Sequence, residues 1–195
     1  HYLIKQTGEI ITLVPDLYIA WHAGKSKWKK YESLNKNSIG IEITNPGHNF
    51  GYKNFPKLQI LSLIKLTKFL MSKYKINKKN ILGHSDIAPE RKKDPGEKFP
   101  WQFFAKKKIG IWHSLSDKIL KKNRSKSINS KFKKIFFKNI FKIGYVVNNP
   151  TNLKNKRYSF LLVEAFQRRF RQQLVNGKID KECFLISENL TKKFS

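Results

Sequence analysis

The chain has 195 residues, 39% hydrophobic and 13% aromatic, enough to build a core and too apolar for wholesale disorder. Its 41 Lys and Arg against 13 Asp and Glu give a net charge of +28, which fits either a pervasive lysine bias or a polyanionic partner such as an envelope polymer, anionic lipid or nucleic acid. No run of about 18 apolar residues encodes a membrane span, the single Cys183 excludes an internal disulfide or thiolate cluster, and without a recognition motif of the usual kinds no nucleic-acid partner is expected.

The sequence opens at His1 rather than Met, so it reads as a fragment or processed product, with any export signal or anchor lying upstream. Residues 1–14, HYLIKQTGEIITLV, predict two strands about a Thr7-Gly8 turn. In SIGIEI (38–43), Ile39, Ile41 and Ile43 alternate with Ser38, Gly40 and Glu42, a strand period that turns Glu42 away from the isoleucine face. A carboxylate in so apolar a strand is costly unless it has a partner or a task. Pro56 opens a helix on which Ile60, Leu63, Ile64, Leu70, Met71 and Tyr74 form one apolar stripe. NILGH (80–84) predicts a further short strand, and FPWQFFAKKKIGIW (99–112) a terminal helix and closing segment. The first domain is expected to end near residue 115.

Residues 116–138, rich in Lys, Ser and Asn, predict a basic linker, part of it helical where FKKIFFKNIF has an amphipathic pattern. From residue 139 onward, IFKIGYVV, YSFLLVEAFQRRFRQQL and the segment after the VNGKID turn predict a small three-helix all-α domain ending at 195. There is no internal repeat.

LGHSDIAPERKKDPG (82–96) carries the chemistry. His84 offers an imidazole ligand suited to zinc and Asp94 an oxygen ligand ten positions later. Pro89 and Pro95 stiffen the loop, and the Asp94-Pro95-Gly96 turn can aim the carboxylate back at His84. Lys92, two positions before Asp94, would share its face in an extended stretch. A His-x9-Asp pair alone matches many loops. Asp86 reads as a cap for local amides, His48 and His113 as loop or surface histidines, and Cys183 as a small buried apolar residue.

AWHAG (20–24), SIGIEI, LGHSDIAPERKKDPG and FPW (99–101), in this order and spacing, resemble the type 2 N-acetylmuramoyl-L-alanine amidases, zinc enzymes related to peptidoglycan-recognition proteins. The resemblance covers residues 1–115. It implies an α/β fold with a central mixed sheet flanked by helices, and zinc-dependent cleavage of the amide between N-acetylmuramic acid and L-alanine. By position, it implies His84 and Asp94 as zinc ligands, Glu42 as the carboxylate acting on water and Lys92 as the cation facing the oxyanion. Arg91 would contact a stem-peptide carboxylate, and His22 reads either as a groove-lining substrate contact or as a packing histidine. The family's first zinc histidine is expected upstream of His1, which itself matches a later, structural position. A truncated enzyme is therefore one reading, and a catalytically impaired peptidoglycan-binding protein lacking that ligand is the alternative. VEAFQRRFR with VNGKID resembles the small peptidoglycan-binding domain appended to some of these amidases, with Arg168, Arg169 and Arg171 either contacting polymer carboxylates or lying on a solvated helix face. These readings imply zinc as cofactor, peptidoglycan or muropeptides as partner, a monomer, and the cell envelope over the cytoplasm.

Overall fold

A computed structural model describes residues 1–146 and 155–194. Strand β1 (Tyr2–Ile4) turns through Gly8 into β2 (Ile10–Thr12), as the first fourteen residues predict. Gly8 sits at φ +89, where a side chain would be strained, and its N–H closes the turn on the Lys5 carbonyl at 2.9 Å. A two-strand hairpin, β3 (Lys27–Trp28) and β4 (Tyr31–Glu32), precedes β5 (Ile41–Ile43). Strand β5 runs parallel to β1 with Leu3 opposite Glu42, giving a mixed sheet of order β2-β1-β5. Helix α1 (Lys57–Lys73) starts immediately after Pro56, whose carbonyl receives the Ile60 N–H, and buries Ile60, Leu63, Leu66 and Leu70 against Tyr2 and Ile4.

NILGH departs from its predicted strand. A 3-10 turn (Lys78–Asn80) leads into extended backbone at Ile81 and Gly83, and then into α2 (His84–Ile87). Extended residues form a strand only with a neighbour to pair with, and the described residues place none beside this segment. Helix α3 (Trp101–Lys106) closes the first core on Phe99, Trp101 and Phe104.

The predicted linker is also largely structured. It contains α4 (Asp117–Asn123) and the first part of α5 (Ser130–Ile143). Phe136 and Ile140 lie one helical turn apart and are fully buried, so this segment is core rather than solvated spacer. Helices α6 (Lys156–Phe170) and α7 (Lys181–Phe194) complete the helical part, and the Val147 end of IFKIGYVV falls outside the described residues. One apolar cluster joins Phe136, Ile140, Leu162, Phe166 and Leu190 to Ala23, Trp28 and Leu34 from the first half, and Trp112 packs against this cluster and the sheet–α1 cluster alike.

The arginines of α6 and its end do not lie on a solvated helix face. Arg168, Arg169 and Arg171 are all buried, paired respectively with Glu164, Asp86 and Asp180. Glu164 lies one turn before Arg168 and is a local signal, but nothing local distinguishes Arg169, whose partner Asp86 is 83 residues away, from an arginine in water. Cys183 is buried as expected, and burial pushes its thiol up to about 12.

His113 is buried beside Trp112, at the meeting of the two clusters, and not at the surface. Burial pushes its pKa down to about 4, whereas an unfolded histidine titrates near 6.5. The neutral ring's contribution is complete above pH 6.5 and is lost as pH falls from there to about 4, since only the unfolded chain takes up the proton. Urea unfolding should show a loss of up to about 3 kcal/mol over that window, and His113→Phe should remove that share of the pH dependence.

Candidate functional site

The sheet, α1 and the 82–96 loop enclose a cleft of 920 Å³ lined by His22, Glu42, His84, Lys92 and Asp94. These residues come from three separate stretches of sequence. Glu42 reaches the cleft because the Ile41-Glu42-Ile43 alternation leaves it exposed between two partly buried isoleucines. Apolar side chains, including Leu63, Leu70 and Met71, line the deeper wall along the open edge of β5.

His84 and Asp94 are brought together as the loop chemistry suggests. His84 Nδ1 lies 3.0 Å from Asp94 Oδ2. The Ser85 N–H donates to the Asp94 carbonyl at 2.9 Å, so the first turn of α2 fixes the backbone carrying the acid. Burial raises the Asp94 pKa, but hydrogen bonding and charge from His84, with the Lys92 charge, outweigh it and leave the carboxyl below its ordinary value. His84 Nε2 is 3.2 Å from the Ala23 carbonyl. Donation there would keep a proton on Nε2 once a metal on Nδ1 took the place of the hydrogen bond to Asp94.

The AWHAG loop is held from beneath by Asn35, whose Oδ1 accepts from the His22 and Ala23 N–H groups at 3.2 and 2.7 Å. His22 packs edge-on against His1 at 5.4 Å between ring centroids, and burial lowers its pKa. It is thus both a packing residue and part of the cleft wall. His1 is structural: its Nδ1 accepts from the Gly40 N–H at 3.0 Å and its Nε2 reaches the Tyr18 carbonyl at 3.0 Å.

Arg91 does not line the cleft. Its Nε and Nη2 donate to the Lys25 carbonyl at 3.2 and 3.0 Å, Nη2 also meets the Ala23 carbonyl, and the same nitrogen is 3.4 Å from His84 Nε2. It ties the 82–96 loop to the AWHAG loop.

Two sets of residues escaped the sequence reading. His48 is part of the cleft wall, 3.1 Å from Glu97 and stacked on Tyr52, whose hydroxyl donates to the Pro95 carbonyl at 2.6 Å. Asp86 caps the Gly83 N–H at 2.8 Å, as expected, but it also accepts from Tyr145 at 2.6 Å and from Arg169. Spacing in the sequence carries no signal for partners 59 and 83 residues away.

The donor chemistry suits zinc. Two ligands on one tetrahedral zinc stand about 3.3 Å apart, close to the observed His84–Asp94 separation. Among the described residues, however, no group of three or more His, Cys, Asp or Glu could hold a metal. His84 and Asp94 therefore fit as part of a shell that needs a further protein donor.

A mixed sheet flanked by helices, with an imidazole–carboxylate pair, a glutamate and a lysine in one cleft, defines a hydrolase-type site. Residues 1–97 match the family model described as N-acetylmuramoyl-L-alanine amidase. Across its whole length the chain is 35% identical to N-acetylmuramoyl-L-alanine amidase AmiD of Escherichia coli, covering 74% of that protein. It is 42% identical over 106 residues to 1,6-anhydro-N-acetylmuramyl-L-alanine amidase AmpD of Enterobacter cloacae, where about half of each chain is matched. The structure of Escherichia coli AmiD in complex with the substrate anhydro-N-acetylmuramic acid-L-Ala-D-gamma-Glu-L-Lys superposes with a TM-score of 0.84 at 34% identity, covering all of this chain and 79% of that one. AmpDh3 of Pseudomonas aeruginosa gives 0.83 at 31%, covering all of this chain and 82% of its own. The chain belongs to the N-acetylmuramoyl-L-alanine amidase family.

Gly40 tests the cleft wall. A Cβ there would lie 2.3 Å from His22 Cγ, so an alanine must displace the imidazole. Gly40→Ala should retain the fold by circular dichroism while weakening ligand binding in the cleft by about tenfold, roughly 1.4 kcal/mol, as read by calorimetry.

Proposed function

We propose that the chain hydrolyses the amide between N-acetylmuramic acid and L-alanine in peptidoglycan or its turnover fragments, with zinc as cofactor. The observation carrying this reading is the convergence of Glu42, Lys92, His84 and Asp94 in one cleft of a chain that is 35% identical to AmiD throughout its length.

His84 Nδ1 and Asp94 Oδ2 are the donors that would hold the metal, the Ala23 carbonyl fixing the imidazole tautomer. The further ligand would be a histidine on a strand seated against the open edge of β5, where the cleft supplies an apolar wall. Zinc, when bound, polarises a carbonyl and lowers the pKa of water from about 16 to about 7. Glu42 takes the proton from the attacking water and delivers it to the departing L-alanine amine. Lys92 faces the charge that develops on the amide oxygen, a donor role worth about 3 kcal/mol. His22 forms the substrate-facing wall. Arg91 serves the site by tying the 82–96 loop to the AWHAG loop rather than by touching substrate in the cleft.

The second reading is a catalytically impaired peptidoglycan-binding protein, favoured by the two-donor set. Stoichiometric zinc in the purified protein supports the enzyme, and its lack supports the binder. On either reading the work is done in the cell envelope by a monomer. Residues 1–115 act as the amidase part. The exposed lysines of 116–138, among them Lys121, Lys122, Lys131, Lys133 and Lys134, join the helical part from 139 onward in attachment to the anionic polymer, raising the effective concentration of the enzyme at an insoluble substrate.

Glu42→Ala should lower turnover of a muramyl-peptide substrate by at least about 100-fold while leaving the fold and most substrate binding intact. Full activity in that variant would remove Glu42 from the role of base.

A further inference from the structure

Helix α2 is only four residues long, yet it carries His84 and, through Ser85, holds Asp94. So short a helix has too few internal hydrogen bonds to fix its own position. Its support comes from the other end of the chain. Asp86, 2% exposed, accepts from the Gly83 N–H and from two distant residues: the Tyr145 hydroxyl, just beyond α5, and the Arg169 guanidinium of α6. Arg169 is itself 2% exposed and bonds twice to this region, donating through Nη1 to Asp86 and through Nη2 to the Ile81 carbonyl at 2.7 Å. The guanidinium also lies over the Trp101 ring at 4.2 Å. Trp101 packs against Gly83, where an added Cβ would sit 3.1 Å from the indole and 2.8 Å from Pro95. The extended segment before His84 is therefore gripped on its polar side by side chains of the helical part and on its apolar side by Trp101, over which Arg169 lies.

We propose that Arg169 and Tyr145 are positioning residues for the amidase site, acting through Asp86 to hold α2 so that His84 and Asp94 stand together. The helical part then completes the catalytic part as well as adding mass or wall affinity to it. This rests on the amidase reading for its consequence in turnover, but the clamp itself is testable without it. Arg169 is matched to the task, because a planar fork can serve a carboxylate and a carbonyl at once. A lysine keeps the charge facing Asp86 but cannot reach both acceptors.

The test compares Arg169→Met, Arg169→Lys and Tyr145→Phe with Arg124→Lys in the full chain. Arg124 bonds Glu182 at 2.7 Å through both Nε and Nη2, in the same helical part but away from α2. Hydrogen–deuterium exchange and steady-state kinetics on a soluble anhydromuramyl peptide are the readouts. In Arg169→Met, amides of residues 83–88 should exchange at least about tenfold faster while those of α7 stay unchanged. Its kcat should fall about 10- to 100-fold with KM within about twofold. Arg169→Lys should recover part of both effects, and Tyr145→Phe, which removes one hydroxyl and little volume, should shift both in the same direction by less. Arg124→Lys should lower the melting temperature and leave both readouts as in the unaltered protein. The proposal is overturned if Tyr145→Phe and Arg169→Lys leave exchange at 83–88 unaltered, or if Arg124→Lys depresses kcat as much as Arg169→Lys. If the unaltered protein does not cleave the peptide, the amidase reading has failed, and the exchange data alone decide whether the clamp exists.

Discussion

Asp86 is a carboxylate with 2% of its surface exposed, the third residue of α2 in the loop that lines the cleft. An uncompensated charge at such depth costs several kcal/mol. Here its lone pairs meet a backbone amide, a tyrosine hydroxyl and a guanidinium, and two of those donors come from the helical part. The interaction ties the two halves of the sequence into one folded unit. Apolar packing agrees with it, since Trp28 from the first half meets Tyr145 edge-on at 5.1 Å between centroids, and Gly144 has no space for a side chain beside that indole.

From that contact the site follows in short steps. Asp86 holds α2, α2 presents His84, and the Ser85 amide ties down the Asp94 carbonyl. The AWHAG loop closes over the same helix through the Ala23 carbonyl and the Arg91 side chain. Glu42 arrives independently on β5, positioned by strand alternation alone. The chemistry thus draws on one residue fixed by local periodicity and two fixed by long-range buried polar contacts. On the proposed reading these answer differently to substitution: a change on β5 would act at the reacting atoms, whereas a change in α6 would act through geometry.

Local pattern in the sequence revealed what local physics decides. Alternation at Ile39, Ile41 and Ile43 located β5, Gly8 located the hairpin turn, and the stripe from Ile60 to Leu70 behind Pro56 located α1. The motif resemblance located His84, Asp94, Glu42 and Lys92, and all four line one cleft. The misreadings share a cause. NILGH has strand composition, but a strand also needs a neighbour, which is a property of the sheet and not of the segment. In 116–138 the lysine-rich composition hid α4, while the amphipathic pattern of FKKIFFKNIF marked the helix on which Phe136 and Ile140 are buried. Arg169 reads as one more cation in a chain with 41 Lys and Arg, and only the fold reveals its acidic partner.

The most direct test of the account is zinc binding by the metal-free protein and by its His84→Ala and Asp94→Ala variants, followed by titration calorimetry. With the further histidine ligand present, the account predicts one ion per chain in the unaltered protein and an affinity weakened by more than about 100-fold in each variant. Zinc held as tightly after loss of either side chain, or no zinc held by the unaltered protein, would contradict it.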